Sequence, residues 1–264
     1  MCGGDFSRQK YKHLINMDLK QDFICFGEVL WDLLPSGKLP GGAPMNVAYH
    51  LYTLGSEGKM ISRIGNDALG KELLTFLDKK NIAKNFIQID TIYPTGTVAV
   101  TLDAKGSPSY EIIQPVAWDY IDLAPLQGIT KNIAVFIYGS LAARNQKSSH
   151  TLLHLLDTDA LKVLDVNLRV PFYSQASLEP LLVKADLVKM NEEELAIIGA
   201  WYGIEQTSEK EQLAFLQKKF HWKGIILTKG EAGALFYSNG SLHCLLYTSP
   251  SPRDATLSRM PSSA

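Results

Sequence analysis

Cysteine is scarce in this chain: Cys2, Cys25 and Cys244 are far apart and odd in number. That excludes a disulfide framework and leaves no spacing suited to a structural zinc site. Cys25 sits in an apolar run and reads as a small buried hydrophobe, and a reducing cytoplasm is the expected compartment. A dominant charge sign is also lacking. Lys and Arg number 26 against 27 Asp and Glu, for a formal net charge of -1. No global field favours nucleic acid or an anionic membrane surface as a partner, so a phosphate-bearing ligand would need local positive groups. No apolar run approaches the roughly 18 residues of a membrane span, and the N-terminus has no apolar signal-peptide core. Neither GxGxxG after the first expected strand nor GxxxxGK[ST] anywhere is present, which argues against a dinucleotide-binding turn or a P-loop, and so against an NAD-dependent oxidoreductase.

What is present is enough apolar material for a sizeable core: 264 residues, 46% of them hydrophobic. Short apolar runs alternate with amphipathic segments. Strands are expected at residues 23–26, 59–64, 134–138, 162–166, 187–190 and 224–228. Helices are expected to start near Met45, Gly70, Lys147, Leu178, Asn191 and Ser208. Ser208 and Glu211 have capping-box spacing ahead of the apolar Leu213, Phe215 and Leu216. The rhythm predicts an α/β fold, a doubly wound, mostly parallel sheet. One stretch interrupts it: residues 97–103 and 109–114 are β-rich and joined by a Gly/Pro loop, the pattern of a hairpin that serves as a lid or an edge extension.

The two ends differ in character from the rest. Residues 1–16 are polar and irregular and are expected to form a disordered leader, with a folded domain over 17–243. From Cys244 the sequence reads CLLYTSPSPRDATLSRMPSSA. CLLYTSPSPRD resembles the in-frame translation of a transposase-end sequencing adapter, and SRMPSSA the flow-cell primer that follows it. The native protein is therefore expected to continue past His243, and residues 244–264 to pack against nothing, although Cys244 to Tyr247 are apolar enough to extend a preceding hairpin.

Two motifs stand near the start. Gly27-Glu28-Val29-Leu30-Trp31-Asp32 is expected at the end of the first strand, where open α/β sheets bind ligands. There Asp32 can accept hydrogen bonds from two sugar hydroxyls, or be simply a solvated loop carboxylate. Gly41-Gly42-Ala43-Pro44-Met45-Asn46 combines glycines that let backbone approach a ligand, a proline suited to a first helical turn, and an amide offering both donor and acceptor to a polyol. A Gly turn opening a ligand-free helix is the plain alternative.

These two motifs, with Ser62-Arg63-Ile64-Gly65-Asn66-Asp67-Ala68-Leu69-Gly70, resemble the N-terminal signature of the PfkB (ribokinase-like) carbohydrate kinases. Matches continue in the family's order: Thr95-Gly96-Thr97, Pro115-Val116-Ala117-Trp118-Asp119, Asp165-Val166-Asn167-Leu168-Arg169, Lys189-Met190-Asn191-Glu192-Glu193-Glu194-Leu195, and Leu227-Thr228-Lys229-Gly230. The GGAP and Asn-Leu-Arg forms look most like fructokinases. The resemblance implies a ribokinase-like sheet with a small β lid, the lid hairpin lying within 95–115. It implies ATP and magnesium as cofactors and sugar held by Asp32, Gly41, Gly42 and Asn46. Arg169 is implied near the transferring phosphate, with a structural salt bridge as its alternative. Asn191, Thr228 and Gly230 are implied at the nucleotide, and Glu194 at magnesium through water rather than as a direct ligand. A homodimer through the lid is a further expectation.

The resemblance also implies a catalytic aspartate in a Gly-Ala-Gly-Asp stretch at a helix start, and this chain contains no such stretch. The chain alone is therefore expected to show little turnover. The expected reaction of the parent protein is transfer of the γ-phosphoryl of ATP to a hydroxyl of fructose. Ribose, 2-keto-3-deoxygluconate or a nucleoside such as adenosine are alternative acceptors, and a non-catalytic sugar-binding protein on the same fold is the alternative of another class.

Overall fold

The computed structural model describes residues 22–56, 58–102 and 108–245. The chain begins with β1 (Phe23–Phe26), which is buried on both sides. Its residues alternate between two cores, as the period of two in a strand requires: Phe23 and Cys25 join one cluster, Ile24 and Phe26 the other. Next come β2 (Leu30–Leu34), β3 (Gly37–Gly41), α1 (Ala43–Thr53), β4 (Gly58–Gly65), α2 (Ala68–Lys79), β5 (Ile87–Asp90), β6 (Gly96–Leu102) and β7 (Pro108–Ile112). Then β8 (Val135–Gly139), α3 (Gln146–Leu155), β9 (Leu161–Asp165), α4 (Gln175–Lys184), β10 (Leu187–Asn191), α5 (Glu192–Trp201), α6 (Glu209–Phe220), β11 (Gly224–Thr228), β12 (Ala234–Ser238) and β13 (Ser241–Leu245) complete the order.

The main sheet has nine strands in the order β13-β12-β11-β10-β9-β8-β1-β4-β5. Every neighbouring pair from β11 to β5 is parallel, and β12 and β13 add an antiparallel edge. Buried residues of α1 and α2 (Met45, Ala48, Leu73, Leu77) belong to the cluster containing Phe23 and Cys25. Those of α3, α4, α5 and α6 (Leu152, Leu181, Ile198, Leu216) belong to the cluster containing Ile24 and Phe26. Both faces are thus covered, as a parallel sheet demands. The mostly parallel sheet expected from the βα rhythm is what forms.

A second sheet of four strands, β3-β2-β6-β7, stands apart. The expected hairpin supplies β6 and β7, paired antiparallel, and the sequence patterns did not foresee β2 and β3. Leu30–Leu34 is short and follows β1 closely, and β3 contains Pro40, which a sheet tolerates at an edge. Here β3 is the edge strand. Asp32 is consequently not at the carboxyl end of β1, as expected, but in the middle of β2, opposite Leu39 and Val98.

The β12–β13 hairpin was also absent from the expected strands, although Asn239-Gly240 carries the two-residue turn signature and both residues have positive φ (49° and 77°). Cys244 pairs with Leu235 and Leu245 with Ala234. The expectation that everything from Cys244 onward packs against nothing therefore fails for these two residues. They extend a hairpin whose register is set by the turn. Residues 246–264, and the leader 1–16, lie outside the described residues.

One polar cluster ties the two sheets together. The Arg144 guanidinium forms a two-pronged pair with Asp119, Nε to Oδ1 at 2.7 Å and Nη2 to Oδ2 at 2.9 Å, and Nη2 also donates to the Ile113 carbonyl at 2.9 Å. The guanidinium lies 4.0 Å from the Trp118 ring centre and 4.6 Å from that of Phe172. Both charged side chains are almost fully buried, at 3% and 2% exposed. Residues 115–119 thus work as an anchor between the end of β7 and the segment after β8.

Candidate functional site

Strand order reverses direction at β1, which has β4 on one side and β8 on the other. In open α/β sheets the crevice for ligands lies outside the carboxyl ends at such a switch point. A cavity of about 480 Å3 occupies this position. Its floor comes from the ends of the main-sheet strands: Glu28 after β1, Leu141 after β8, Asp165 at the end of β9, and Lys189 in β10. The lid sheet contributes Leu30, Asp32, Val98 and Ile112; Gly42 before α1, Ala43 and Asn46 in its first turn, and His50 in its last turn complete that side. Asn167 and Arg169 close the remaining side. Four of the five residues expected to hold the sugar or to lie near the transferring phosphate, Asp32, Gly42, Asn46 and Arg169, are therefore brought together. The fifth, Gly41, does not line the cavity but backs it. A Cβ there would come within 2.7 Å of Asp32 Oδ2, so the glycine leaves room for that carboxylate.

Gly42 is the residue before α1 and has φ +118°. A Cβ at this position would sit 2.2 Å from the Glu28 carbonyl oxygen, and backbone cannot retreat as a flexible side chain can. Gly42→Ala is expected to destabilise the chain by at least about 1–3 kcal/mol from the backbone conformation alone, with the clash added. Chemical unfolding curves check this, and an unchanged midpoint would show that the turn tolerates a side chain.

The α1 N-terminus is held from below. Ala43 N–H donates to Glu28 Oε1 at 3.2 Å. Glu28 is 2% exposed, and its Oε2 has no hydrogen-bond partner among the described residues. Burial pushes its pKa up to about 7, against the lowering effect of backbone N–H donors and Arg169. Lys189 Nζ donates to Asp165 Oδ1 at 2.8 Å, an ion pair between residues directly opposite on β10 and β9. Arg169 makes no ion pair with a described residue. Its Nη1 donates to its neighbour's carbonyl, Leu168 O, at 3.2 Å, and its side chain is exposed. The structural salt bridge is thus not its role among the described residues.

The four residues assigned to nucleotide or magnesium do not line this cavity. They form a neighbouring group at the carboxyl ends of β10 and β11. Asn191 and Thr228 are directly opposite in register, and Gly230 follows β11 with φ +52°. Asn191 and Glu194 make a reciprocal cap on α5: Glu194 N–H donates to Asn191 Oδ1 at 2.8 Å, and Asn191 N–H to Glu194 Oε2 at 2.9 Å. Glu194 Oε1 accepts from Leu168 N–H at 2.8 Å. This carboxylate therefore links the nucleotide group to the Asn167-Leu168-Arg169 turn that lines the cavity. Burial raises its pKa, and nearby Asp165 adds to the rise.

Glu28, His50, Asp165, Asn167 and Lys189 belong to the site without having been singled out from sequence. Glu28, Asp165, Asn167 and Lys189 stand inside motifs already quoted, which is the signal that was available. The Asp165–Lys189 pair depends on strand register, which no spacing reveals. Among the described residues there is no group of three or more His, Cys, Asp or Glu placed to hold a metal ion, and no helix is long and apolar enough to cross a membrane.

A doubly wound sheet with a separate β sheet over its switch point defines an α/β protein with a cavity between the two sheets of a size for a small molecule. The model of the pfkB family of carbohydrate kinases matches residues 14–250, and the chain belongs to that family. It is 28% identical over 224 residues to a fructokinase of Klebsiella pneumoniae, covering 78% of this chain and 70% of that protein. It is 29% identical over 250 residues to the Arabidopsis thaliana protein named "Probable fructokinase-6, chloroplastic", covering 84% of this chain but only 64% of that one. The fructokinase of Vibrio cholerae O395, solved with fructose, ADP and a calcium ion, superposes with a TM-score of 0.78 at 25% identity, covering 90% of this chain and 80% of that one.

Proposed function

We propose that this protein transfers the γ-phosphoryl group of ATP to a hydroxyl of a sugar, with fructose as the acceptor. The observation that carries this reading is the convergence of Asp32, Gly42, Asn46 and Arg169 on one cavity between lid and switch point, in a chain of the pfkB family. In this reading Asp32 accepts hydrogen bonds from sugar hydroxyls, and Asn46 both donates and accepts. Gly41 and Gly42 let strand and helix start come close to the ring. The lid excludes water from the reacting centre, so that phosphate goes to sugar rather than to solvent.

ATP with a divalent cation would supply the phosphoryl group and shield its charge. The residues present fit that role in part. Arg169, exposed at the cavity edge, suits anionic oxygens, and Asn191, Thr228 and Gly230 surround the carboxyl ends of β10 and β11. A Cβ at Gly230 would meet open space, so a nucleotide can approach there. Both Glu194 oxygens already accept backbone N–H groups, which suits an indirect role through water better than direct ligation. The reading includes a homodimer through the lid, and a cytoplasmic setting that fits the cysteine usage.

The test is ATP- and magnesium-dependent formation of sugar phosphate by a chain of the relatives' full length. Fructose, ribose, 2-keto-3-deoxygluconate and adenosine would be offered in parallel. Fructose is expected to give the highest kcat/KM. Preference for another acceptor overturns the substrate, and no transfer to any acceptor favours a sugar-binding role.

A further inference from the structure

Glu28 is an anomaly on the floor of the sugar cavity. It is 2% exposed, it sits at the switch point, and only one of its oxygens has a hydrogen-bond partner among the described residues, the Ala43 N–H at the start of α1. A buried carboxylate ordinarily accepts several hydrogen bonds or pairs with a cation. Neither holds for Oε2. We propose that Glu28 is a positioning residue for sugar binding that works as the neutral acid, so that occupation of the cavity is linked to proton uptake.

The argument is electrostatic. An anion beside the N-terminus of α1 is favoured by the backbone N–H groups of Glu28 itself and of Ala43, in line with the helix dipole, and Arg169 favours it too. Burial acts against it and is the larger effect, with Asp165 on the same side, which places the pKa at about 7 rather than 4.5. The other charged or titratable side chains lining the cavity are Asp32 on β2, His50 on α1 and Lys189 on β10, the last paired with Asp165. A sugar in the cavity removes the remaining water next to Glu28 and raises the cost of its charge further. By linkage, whatever raises the proton affinity of Glu28 on binding weakens binding where Glu28 is ionised. The sign follows: affinity is fully present below pH 7 and falls as pH rises through it. The same displacement makes the empty fold lose stability as pH rises from about 4.5 towards 7, because the folded chain holds this proton more tightly than the unfolded one.

This inference rests on the sugar reading of the cavity, and its test separates the two. Fructose is titrated into the 15N-labelled 264-residue chain at pH 6 and pH 8.5, following the Gly42 and Ala43 amide signals, which report weak binding. If the sugar raises the pKa of Glu28 by one unit from about 7, affinity is about sevenfold weaker at the higher pH. Glu28→Gln should bind with the same affinity at both. His50→Gln, which removes the histidine that lines the cavity, should keep the wild-type dependence. Equal wild-type affinity at the two pH values overturns the inference and leaves the sugar site standing. So does a dependence that survives in E28Q or vanishes in H50Q. If E28Q does not fold, the wild-type and H50Q titrations alone decide. No response to fructose at either pH overturns the sugar reading, and the inference with it.

Discussion

Arg144→Ala is expected to cost about 3–5 kcal/mol of stability, the range for removing one partner of a buried ion pair. The loss is large because of what is left behind. Asp119 is 2% exposed in its side chain, and without the guanidinium its carboxylate keeps, among the described residues, the Val116 N–H at 3.0 Å. The Ile113 carbonyl loses its donor, and the faces of Trp118 and Phe172 lose the group packed on them. A marginally stable domain has little more than this to lose. Replacing both partners by apolar residues of similar volume, Arg144→Met with Asp119→Leu, is expected to recover much of the deficit, because neither charge is then stranded. Urea unfolding of the two single variants and the double variant gives the comparison. A cost below about 1 kcal/mol for Arg144→Ala would mean that water reaches Asp119 and that the anchor is not dry.

The anchor shows which parts of the fold the sequence made readable. Runs such as Ile24-Cys25-Phe26 and Ile225-Ile226-Leu227 announce strands because a parallel strand covered on both faces is apolar throughout. Helix starts were readable where a cap stands in the sequence, as at Ser208 and Asn191. The lid was half readable. β6 carries β-branched Thr97, Val98 and Thr101, whereas β2 and β3 are short, carry Pro40, and gain their identity only by pairing with each other and with β6. Asp119 and Arg144 are 25 residues apart in sequence, and nothing in their spacing announces that they meet.

The candidate site follows the same division. Gly42 and Asn46 share one helix start, and their convergence follows from local order. Asp32 reaches the cavity from a different sheet than expected, because β2 turns away from β1 to enter the lid. Glu28, beside Gly27 in the same motif, had no local sign of its burial. That burial arises where β1 ends beneath α1, a relation between elements far from adjacent in sequence.

Asp32→Ala, in a chain of the relatives' full length, is expected to lower kcat/KM for fructose by at least about tenfold while leaving the KM for ATP little changed. Each hydrogen bond from a neutral hydroxyl to a charged acceptor is worth about 1.5–3 kcal/mol, and about 1.4 kcal/mol is a factor of ten. A carboxylate serving two sugar hydroxyls would exceed that floor, although bonds to one group need not add. The selectivity of the effect follows from the architecture. Asp32 is carried by the lid sheet, on β2 between β3 and β6, whereas Asn191, Thr228 and Gly230 stand at or beyond the ends of β10 and β11 in the main sheet. Asp32→Asn keeps the shape and one acceptor oxygen and should fall between the two, which separates lost hydrogen bonding from lost packing. Gly41→Ala makes an independent approach to the same carboxylate, since its Cβ would press on Asp32 Oδ2. It should raise the KM for sugar without removing the charge. Steady-state kinetics with each substrate varied in turn read all three variants. Unchanged sugar KM and kcat in Asp32→Ala would remove Asp32 from the site. An equal rise in the KM for ATP would mean instead that the lid as a whole had come loose.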